Sequence, residues 1–350
     1  MTSGWRAFLA ILIVDTLLTF PILYQSYKHY SATITPWDVH AYLEMVEKPG
    51  QYEPPFRYRC LAPIIVRAMR ALPGYNVEVD YTRDPEEKED YFHFTLLNYA
   101  MTILISGLLF LYLKEKLGPL YAYLGSLLYL FSFYTVVINY IPMGDTACQL
   151  AVIVCVLLIE RRKPFWFTLA CLIGVFAKET LLLVMIPWIC SQALGNRDWR
   201  RLRYLLYMLP GALAYLAATR MFPAEAAYDY YTPGFVLHRV FDVFLPSTWS
   251  ASLVFHVVVA QTPLWVAFGL YFWMKRNWKT PLPRLNPELL VFPFLIWLGI
   301  TIDINNSTGR VSALAFPALI LFQAGVVKAW VEGLRRPYQP PIAAALQPSV

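Results

Sequence analysis

Residues 160–203 read ERRKPFWFTLACLIGVFAKETLLLVMIPWICSQALGNRDWRRLR, two apolar runs flanked by basic clusters and joined by a short polar turn. Basic residues concentrate on the cytoplasmic side of membrane proteins. Because both flanking clusters are basic, the chain between them crosses the membrane an even number of times. The stretch therefore predicts a helical hairpin over residues 165–194, with its turn at residues 177–180 on the outer side.

The composition extends this prediction to the whole chain. Hydrophobic residues make up 58% of the 350 residues and charged residues 15%, whereas soluble domains carry about a quarter charged residues. We therefore predict an all-α, polytopic helical transmembrane protein with about ten membrane segments, some of them short. The apolar runs lie near residues 7–24, 91–113, 120–138, 146–159, 165–177, 181–194, 204–221, 250–274, 288–302 and 311–329.

The charge distribution predicts the orientation. With the N-terminus inside, the cytoplasmic side holds 17 of the 29 basic residues and only five acids, and the outer side holds 17 of the 23 acids. By the positive-inside rule, this is an integral plasma (inner) membrane protein with both termini cytoplasmic. We predict a single transmembrane domain over residues 1–336 and a disordered cytoplasmic tail over residues 337–350.

Two outer loops are predicted, over residues 25–90 and 222–246. The longer loop contains two short amphipathic patterns that we expect to lie along the outer membrane surface. The first begins at Thr35, and its apolar stripe is Val39, Tyr42, Leu43 and Val46. The second covers residues 61–72, and its apolar face is Leu61, Ile64, Ile65, Ala68 and Leu72. The shorter loop, rich in Tyr, Pro and acids, is either an interfacial aromatic belt or a cover over a pocket.

Three polar turns are predicted on the outer side, at residues 139–146, 177–180 and 303–310. Each arm of the 165–194 hairpin reaches only about 20 Å at 1.5 Å per residue, so its turn lies below the outer surface. Polar groups at membrane depth are costly unless they line a cavity. The three turns therefore predict a shared pocket on the outer face.

The longer outer loop also concentrates reactive side chains. Residues 35–59 read TPWDVHAYLEMVEKPGQYEPPFRYR, with Asp38 near His40 and, after a Pro-Gly break, Arg57, Tyr58 and Arg59. An acid, a histidine and two arginines beside a membrane favour chemistry on an anionic substrate at the outer face.

The layout of residues 1–330 resembles the GT-C superfamily of membrane glycosyltransferases, which have an acid soon after the first transmembrane helix. Three stretches resemble bacterial mannosyltransferase-like members: residues 55–63 (PFRYRCLAP), 176–180 (FAKET) and 309–317 (GRVSALAFP). The resemblance implies a polyprenyl-phosphate-linked sugar donor, an inverting transfer on the periplasmic face and the loop acid as base. Many members have two adjacent acids in this loop, whereas Val39 follows Asp38 here.

Asp38 is the natural general base, because an acceptor hydroxyl needs a carboxylate within hydrogen-bond reach. Its alternative role is to cap the helix that begins at Thr35. Arg57 and Arg59 lie two apart in an extended stretch, so at most one faces a given phosphate. Phosphate binding and lipid-headgroup binding are both open for each arginine.

The remaining site residues are assigned by the same chemistry. Tyr58 stacks on a sugar or anchors the interface, and His40 is counted with the substrate-binding residues. Of the adjacent Lys178 and Glu179, both counted as substrate-binding, one contacts the donor phosphate while the other pairs elsewhere. The alternative for Lys178 is that it snorkels to the headgroups. Two further assignments concern the other turns: Arg310 binds phosphate or pairs with Asp303, and Asp145 binds the acceptor or, as we favour, caps a helix that starts at Thr146.

No metal or other cofactor is required if cations hold a leaving monophosphate, and the five histidines show no metal-ligand spacing. The expected partners are the lipid-linked donor, membrane lipids and an acceptor that is a glycan, lipid or protein, with no nucleic acid. The main alternative is a transporter or flippase of a lipid-linked or anionic solute, which predicts gates on both faces. A non-catalytic subunit of a membrane complex is a third possibility.

Overall fold

A computed structural model describes most of the chain. The described ranges are residues 3–29, 36–48, 58–72, 85–139, 141, 143–221, 245, 250–278, 282, 285–301 and 308–334. All regular elements in these ranges are helical, which confirms the predicted all-α class. The shorter outer loop (residues 222–246, apart from Leu245) and the tail over residues 337–350 lie outside the described residues.

The first half of the chain forms α1 (Ser3–His29), α2 (Pro36–Glu47), α3 (Leu61–Met69), α4 (Pro85–Leu117), α5 (Pro119–Leu130), α6 (Phe133–Ile138), α7 (Asp145–Glu160) and α8 (Pro164–Gly174). The second half forms α9 (Thr180–Gly195), α10 (Arg203–Tyr207), α11 (Leu209–Met221), α12 (Ala251–Val254), α13 (Thr262–Asn277), α14 (Val291–Thr301), α15 (Thr308–Ala313) and α16 (Phe316–Leu334). Short 3-10 turns precede α10 and α14, at Trp199–Leu202 and Pro287–Leu290, and a π turn, Phe255–Val259, follows α12.

Two helical stretches are long and apolar enough to cross a membrane, Glu89–Leu117 within α4 and the whole of α16. Shorter apolar helical stretches cover Phe8–Tyr24, Pro164–Gly174, Thr180–Gly195 and Pro287–Thr301. Helices therefore occupy the predicted apolar segments. The number of membrane crossings stays a prediction, because length and composition alone identify these two stretches.

The break between α4 and α5 is dictated by two residues. Gly118 has a φ of +85°, in the left-handed region where a side chain is strained. Pro119 follows at the first position of α5, where a missing N–H is tolerated. The chain reverses here, and α5 packs along α4.

Helix α4 lies at the centre of the fold, in contact with α1, α3, α5, α7 and α16. Its polar positions join helices: the Ser106 hydroxyl donates to a carboxylate oxygen of Asp15 at 2.7 Å, and Ser126 of α5 donates to the Ser106 carbonyl at 3.1 Å. The buried Asp15 carboxylate of α1 thus makes an interhelical hydrogen bond to α4.

The two amphipathic helices of the longer outer loop are present, but they present their apolar faces differently. The predicted stripe of α2 is buried, with Val39, Tyr42, Leu43 and Val46 at most 5% exposed, and α2 packs on α3 and α4. The prediction that this stripe lies on the membrane is therefore wrong, because protein covers it.

The predicted apolar face of α3 remains largely exposed, as a helix on a membrane surface requires. Ile64 is 50% exposed and Leu72, just beyond the helix, is 54% exposed. The buried residues of α3 are instead Ala62, Pro63 and Val66. Helix α3 is therefore apolar on two sides, one against the protein and one facing outward.

A closed polar network joins α5, the end of α6 and the first turns of α7. Tyr129 donates to the Gln149 amide oxygen at 2.8 Å, and the Asn139 amide nitrogen donates to Tyr129 at 3.0 Å and to Gln149 at 3.1 Å. Gln149 donates back to the Asn139 amide oxygen at 3.1 Å. Because all three side chains are buried, each depends on the others for its hydrogen bonds.

We expect Asn139→Ala to destabilise the folded protein by about 2 kcal/mol, because the buried Gln149 amide nitrogen loses its acceptor and Tyr129 loses one of its hydrogen bonds. Thermal unfolding in detergent measures this. Asn277→Ala is the matched control, since Asn277 is exposed and its side chain donates to the Trp273 carbonyl of its own helix. Equal melting temperatures for the two variants would contradict the network's structural role.

Candidate functional site

Residues from the three predicted outer turns meet in one buried cluster. The Lys178 ammonium donates to one carboxylate oxygen of Asp145 at 2.7 Å, and the Arg310 guanidinium donates to the other at 2.5 Å. The side chains of Asp145, Lys178 and Arg310 are 3%, 7% and 11% exposed. We call these three residues the Asp145 cluster. The predicted convergence of the turns is thus observed at these residues.

The local sequence positions each member of the Asp145 cluster. Asp145 is the first residue of α7, after Gly144 at the N-cap, so its carboxylate also lies in the favourable field of a helix N-terminus. Lys178 lies in the turn after α8, where its N–H donates to the Gly174 carbonyl. Arg310 lies on α15.

One prediction about the Asp145 cluster needs correction. Asp145 does not cap a helix starting at Thr146, because α7 begins one residue earlier and the carboxylate binds two cations instead. Arg310 pairs with Asp145, and the alternative pairing of Arg310 with Asp303 stays a prediction. Asp303 itself lies outside the described residues.

A second ion pair fastens the longer outer loop to the α8–α9 turn. The Arg59 guanidinium donates through two nitrogens to the two carboxylate oxygens of Glu179, with Nε at 3.0 Å from Oε2. The Leu61 N–H also donates to the Phe176 carbonyl at 3.1 Å. Lys178 and Glu179, adjacent in sequence, therefore hold different partners, as expected of neighbours that point apart.

Gly144 allows α2 to approach the Asp145 cluster. A Cβ at this position would lie 2.7 Å from the Tyr42 hydroxyl and 2.9 Å from the Ala177 carbonyl oxygen, distances that a side chain does not tolerate. Tyr42 of α2 and the α8–α9 turn therefore both contact the start of α7. In sequence, Asp38 precedes Tyr42 by four residues, one helical turn earlier in α2.

The remaining predicted site residues are only partly described. The side chains of Asp38 and His40 lie outside the described part of the structure, and so does Arg57. Tyr58 is buried and packs edge-to-face on Tyr215 of α11, with ring centroids 5.6 Å apart. Tyr58 thus fills a protein interior rather than an exposed interface.

Both carboxylates of these two turns, Asp145 and Glu179, have a pKa below the ordinary carboxyl value. Burial by itself would raise the pKa of Asp145, but Arg310 and Lys178 outweigh burial and hold that pKa below its ordinary value. Burial is likewise outweighed at Glu179, where Arg59 lowers the pKa. Two cations against one carboxylate leave the Asp145 cluster with one net positive charge. This arrangement can attract an anion, and arginine with lysine suits phosphate oxygens.

Sequence reasoning found Lys178 and Arg310 but did not assign Asp145 as the residue that joins them. The signal was the position of Asp145 at the outer end of an apolar run, where an uncompensated acid is costly. Within the described ranges, no group of three or more His, Cys, Asp or Glu side chains is arranged to hold a metal ion.

No protein-family model, curated protein or solved structure matches this chain. The resemblance to membrane glycosyltransferases therefore rests on the residues quoted above.

We expect Asp145→Asn to destabilise the protein by about 3–5 kcal/mol, because it removes the counter-charge of the buried Lys178 and one ionic partner of Arg310. Adding Lys178→Met should restore part of the loss, since the uncompensated charge of Lys178 is then removed. Thermal unfolding of the single and double variants measures this coupling. Glu332→Gln is the control, because Glu332 is 52% exposed in its pair with Lys328 and such surface pairs contribute at most about 1 kcal/mol.

Acid should destabilise the protein through the same carboxylate. Because the pKa of Asp145 is lowered in the fold, its stabilising contribution is complete above the ordinary carboxyl pKa of about 4. The contribution then declines as the pH falls below that value. We expect melting temperatures measured between neutral pH and pH of about 3 to fall less steeply for Asp145→Asn than for wild type. Melting-temperature profiles that run parallel for the two proteins would show that another titrating group dominates the acid destabilisation.

Proposed function

We propose that this chain is a membrane glycosyltransferase, with Asp38 as general base. It would transfer a sugar from a polyprenyl-phosphate-linked donor to an acceptor on the non-cytoplasmic face. The observation that carries the proposal is the pairing of Lys178 and Arg310 on one carboxylate, which holds two phosphate-binding cations side by side. The contacts at Gly144 bring α2, the helix that includes Asp38, against the same end of α7.

The proposed setting is the inner membrane, crossed by about ten segments, with the Asp145 cluster on the periplasmic side. The charge bias of the loops supports this orientation. Exposed apolar side chains on α1 and α13 support lipid contact: Leu17 is 70% exposed and Val266 is 63% exposed. The outward apolar face of α3 is suited to the membrane surface.

The proposed transfer is an inverting displacement. The acceptor hydroxyl gives its proton to the Asp38 carboxylate while its oxygen bonds to the anomeric carbon of the sugar. The bond between that carbon and the phosphate oxygen breaks, and the phosphate leaves with the electron pair. Lys178 and Arg310 stabilise the charge on the leaving phosphate.

The flanking residues have supporting roles in this proposal. Because Glu179 engages Arg59, the arginine we assign to the donor phosphate is Arg57. The Arg59–Glu179 pair instead holds the loop against the α8–α9 turn. His40 and Asp145 complete the proposed substrate site, with Asp145 orienting the two cations, while Tyr58 supports the loop by packing on Tyr215.

One observation favours the alternative of a transporter or flippase. Helix α7 has an acid at each end, and Glu160 is also held by two cations, with Lys116 at 3.1 Å and Arg201 at 3.7 Å. Ion pairs at both ends of one helix suit gates that open in turn on opposite faces.

A transfer assay tests the proposal. Purified protein in lipid nanodiscs would be given a panel of polyprenyl-phosphate sugars and candidate acceptors, and glycosylated product would be measured. We expect wild-type turnover, and for Asp38→Asn a loss of about 10²- to 10⁴-fold, because general-base catalysis contributes that much. Glu44→Gln is the matched control, since Glu44 is an exposed acid on the same helix.

The outcomes separate the two candidate functions. A well-folded Asp38→Asn protein at the wild-type rate would remove Asp38 as the base. Absence of turnover with every donor, together with passage of a fluorescent lipid-phosphate across proteoliposome membranes, would establish the transporter instead.

A further inference from the structure

A cavity of about 630 Å³ lies inside the fold, one helical turn away from the Asp145 cluster. Its walls come from α5, α6, α7, the π turn with the start of α13, α15 and α16. Gln149, one turn after Asp145, and Ala313, one turn after Arg310, both line it. The volume is within the range of about 300–1,000 Å³ that is typical of small-molecule sites.

Besides apolar side chains and the already paired Gln149, the cavity wall includes two further buried amides. Gln261 and Gln323 line it and are 8% and 6% exposed. Among the described residues, neither amide has a hydrogen-bond partner, and neither is fully enclosed by protein. We therefore take the accessible side of each amide to face the cavity. A buried amide without a partner is costly, so an occupant that bonds to both would stabilise the site.

The wall also restricts the charge of an occupant. In the described part of the chain, the residues that line this cavity include no Asp, Glu, Lys, Arg or His. A carboxylate, phosphate or ammonium would be buried here without a counter-charge, at a large desolvation cost. A hydroxyl group both donates and accepts, which matches an amide that also does both.

The cavity is open toward the surroundings of the helix bundle. Phe131 and Val259 line it and are 51% and 52% exposed. In the membrane setting proposed above, this opening would face lipid, so an occupant would enter from the hydrocarbon phase. A second cavity of the same volume, about 630 Å³, is lined by residues of the π turn, α13, α14, α16 and the chain before α14, where Asn286 supplies a side-chain amide.

We propose that the Gln261–Gln323 cavity binds an uncharged lipid with a long hydrocarbon chain and a hydroxyl group. The apolar wall takes the chain, and the two glutamine amides bind the hydroxyl. The site is separate from the phosphate-binding role proposed for the Asp145 cluster, and it does not depend on whether the protein is an enzyme or a transporter.

Photolabelling tests this site. The full chain in phosphatidylcholine nanodiscs would be labelled with a diazirine-bearing long-chain alcohol, and the labelled residues would be mapped by mass spectrometry. Unlabelled dodecanol, dodecane and dodecanoate would compete at alkaline pH. We expect the labelled residues to lie on the cavity wall. Dodecanol should compete about fivefold more strongly than dodecane, because one neutral hydrogen bond contributes a difference of that size. Dodecanoate should compete least.

Variants assign the effect to the amides. Gln323→Leu should weaken competition by dodecanol about fivefold, because the hydrogen bond to the hydroxyl group is lost. Competition by dodecane should be unchanged or stronger in this variant. Gln261→Leu provides an independent variant should Gln323→Leu fold poorly. Ala260→Phe should weaken both competitors by filling the cavity. Asn286→Leu, in the second cavity, is the matched control.

Several results would overturn the proposal. Labelling confined to the second cavity or to the outer surface would place the lipid elsewhere. Dodecane or dodecanoate that competes as strongly as dodecanol in the wild type would remove the role of the hydroxyl group. Asn286→Leu that weakens competition by dodecanol as much as Gln323→Leu would remove the role of the cavity amides.

Discussion

The burial of the Asp145 carboxylate is the constraint on which the meeting of the three polar turns depends. A charged group at 3% exposure is tolerated only when opposite charges surround it. The two cations come from positions 33 and 165 residues away in the chain. Satisfying one carboxylate therefore requires the α8–α9 turn and α15 to meet at the start of α7.

Helix α7 transmits this constraint through the molecule. One turn beyond Asp145, Gln149 joins the amide and hydroxyl network with Tyr129 and Asn139. At the far end, Glu160 accepts from Lys116 and from the amide of Gln192. The same helix thus orders polar groups at both of its ends, while its middle is apolar and packs against α4, α8 and α9.

Much of the helix placement was predictable from the sequence because hydrophobic runs report directly on helices, whereas the orientation that the basic flanks indicate stays a prediction. The run predicted at residues 146–159 is α7 (Asp145–Glu160), and the hairpin over residues 165–194 is the pair α8 and α9. The apolar stripe of α2 was recognised from its periodicity, but its location was predicted wrongly, because protein and not the membrane surface covers it. Periodicity shows that a face is apolar and does not distinguish lipid from a neighbouring helix.

The site was less predictable, because its contacts join residues far apart in the chain. The polarity of Lys178 and Arg310 in apolar surroundings indicated that they need partners. No local sequence pattern indicated that both side chains would pair with Asp145, or that Arg59 would pair with Glu179. Pairing across such separations depends on how helices pack, and that is decided by many weak contacts together.

The order of residues along the chain has a consequence for biosynthesis. Asp145 and Lys178 emerge from the ribosome close together, and as a pair they are electrically neutral. Arg310 is made much later and completes the cluster only after α9 to α14 have been synthesised. A nascent chain would therefore hold a neutral, self-contained pair while the bundle is incomplete. It would acquire its anion-attracting charge only with the last two helices of the described fold.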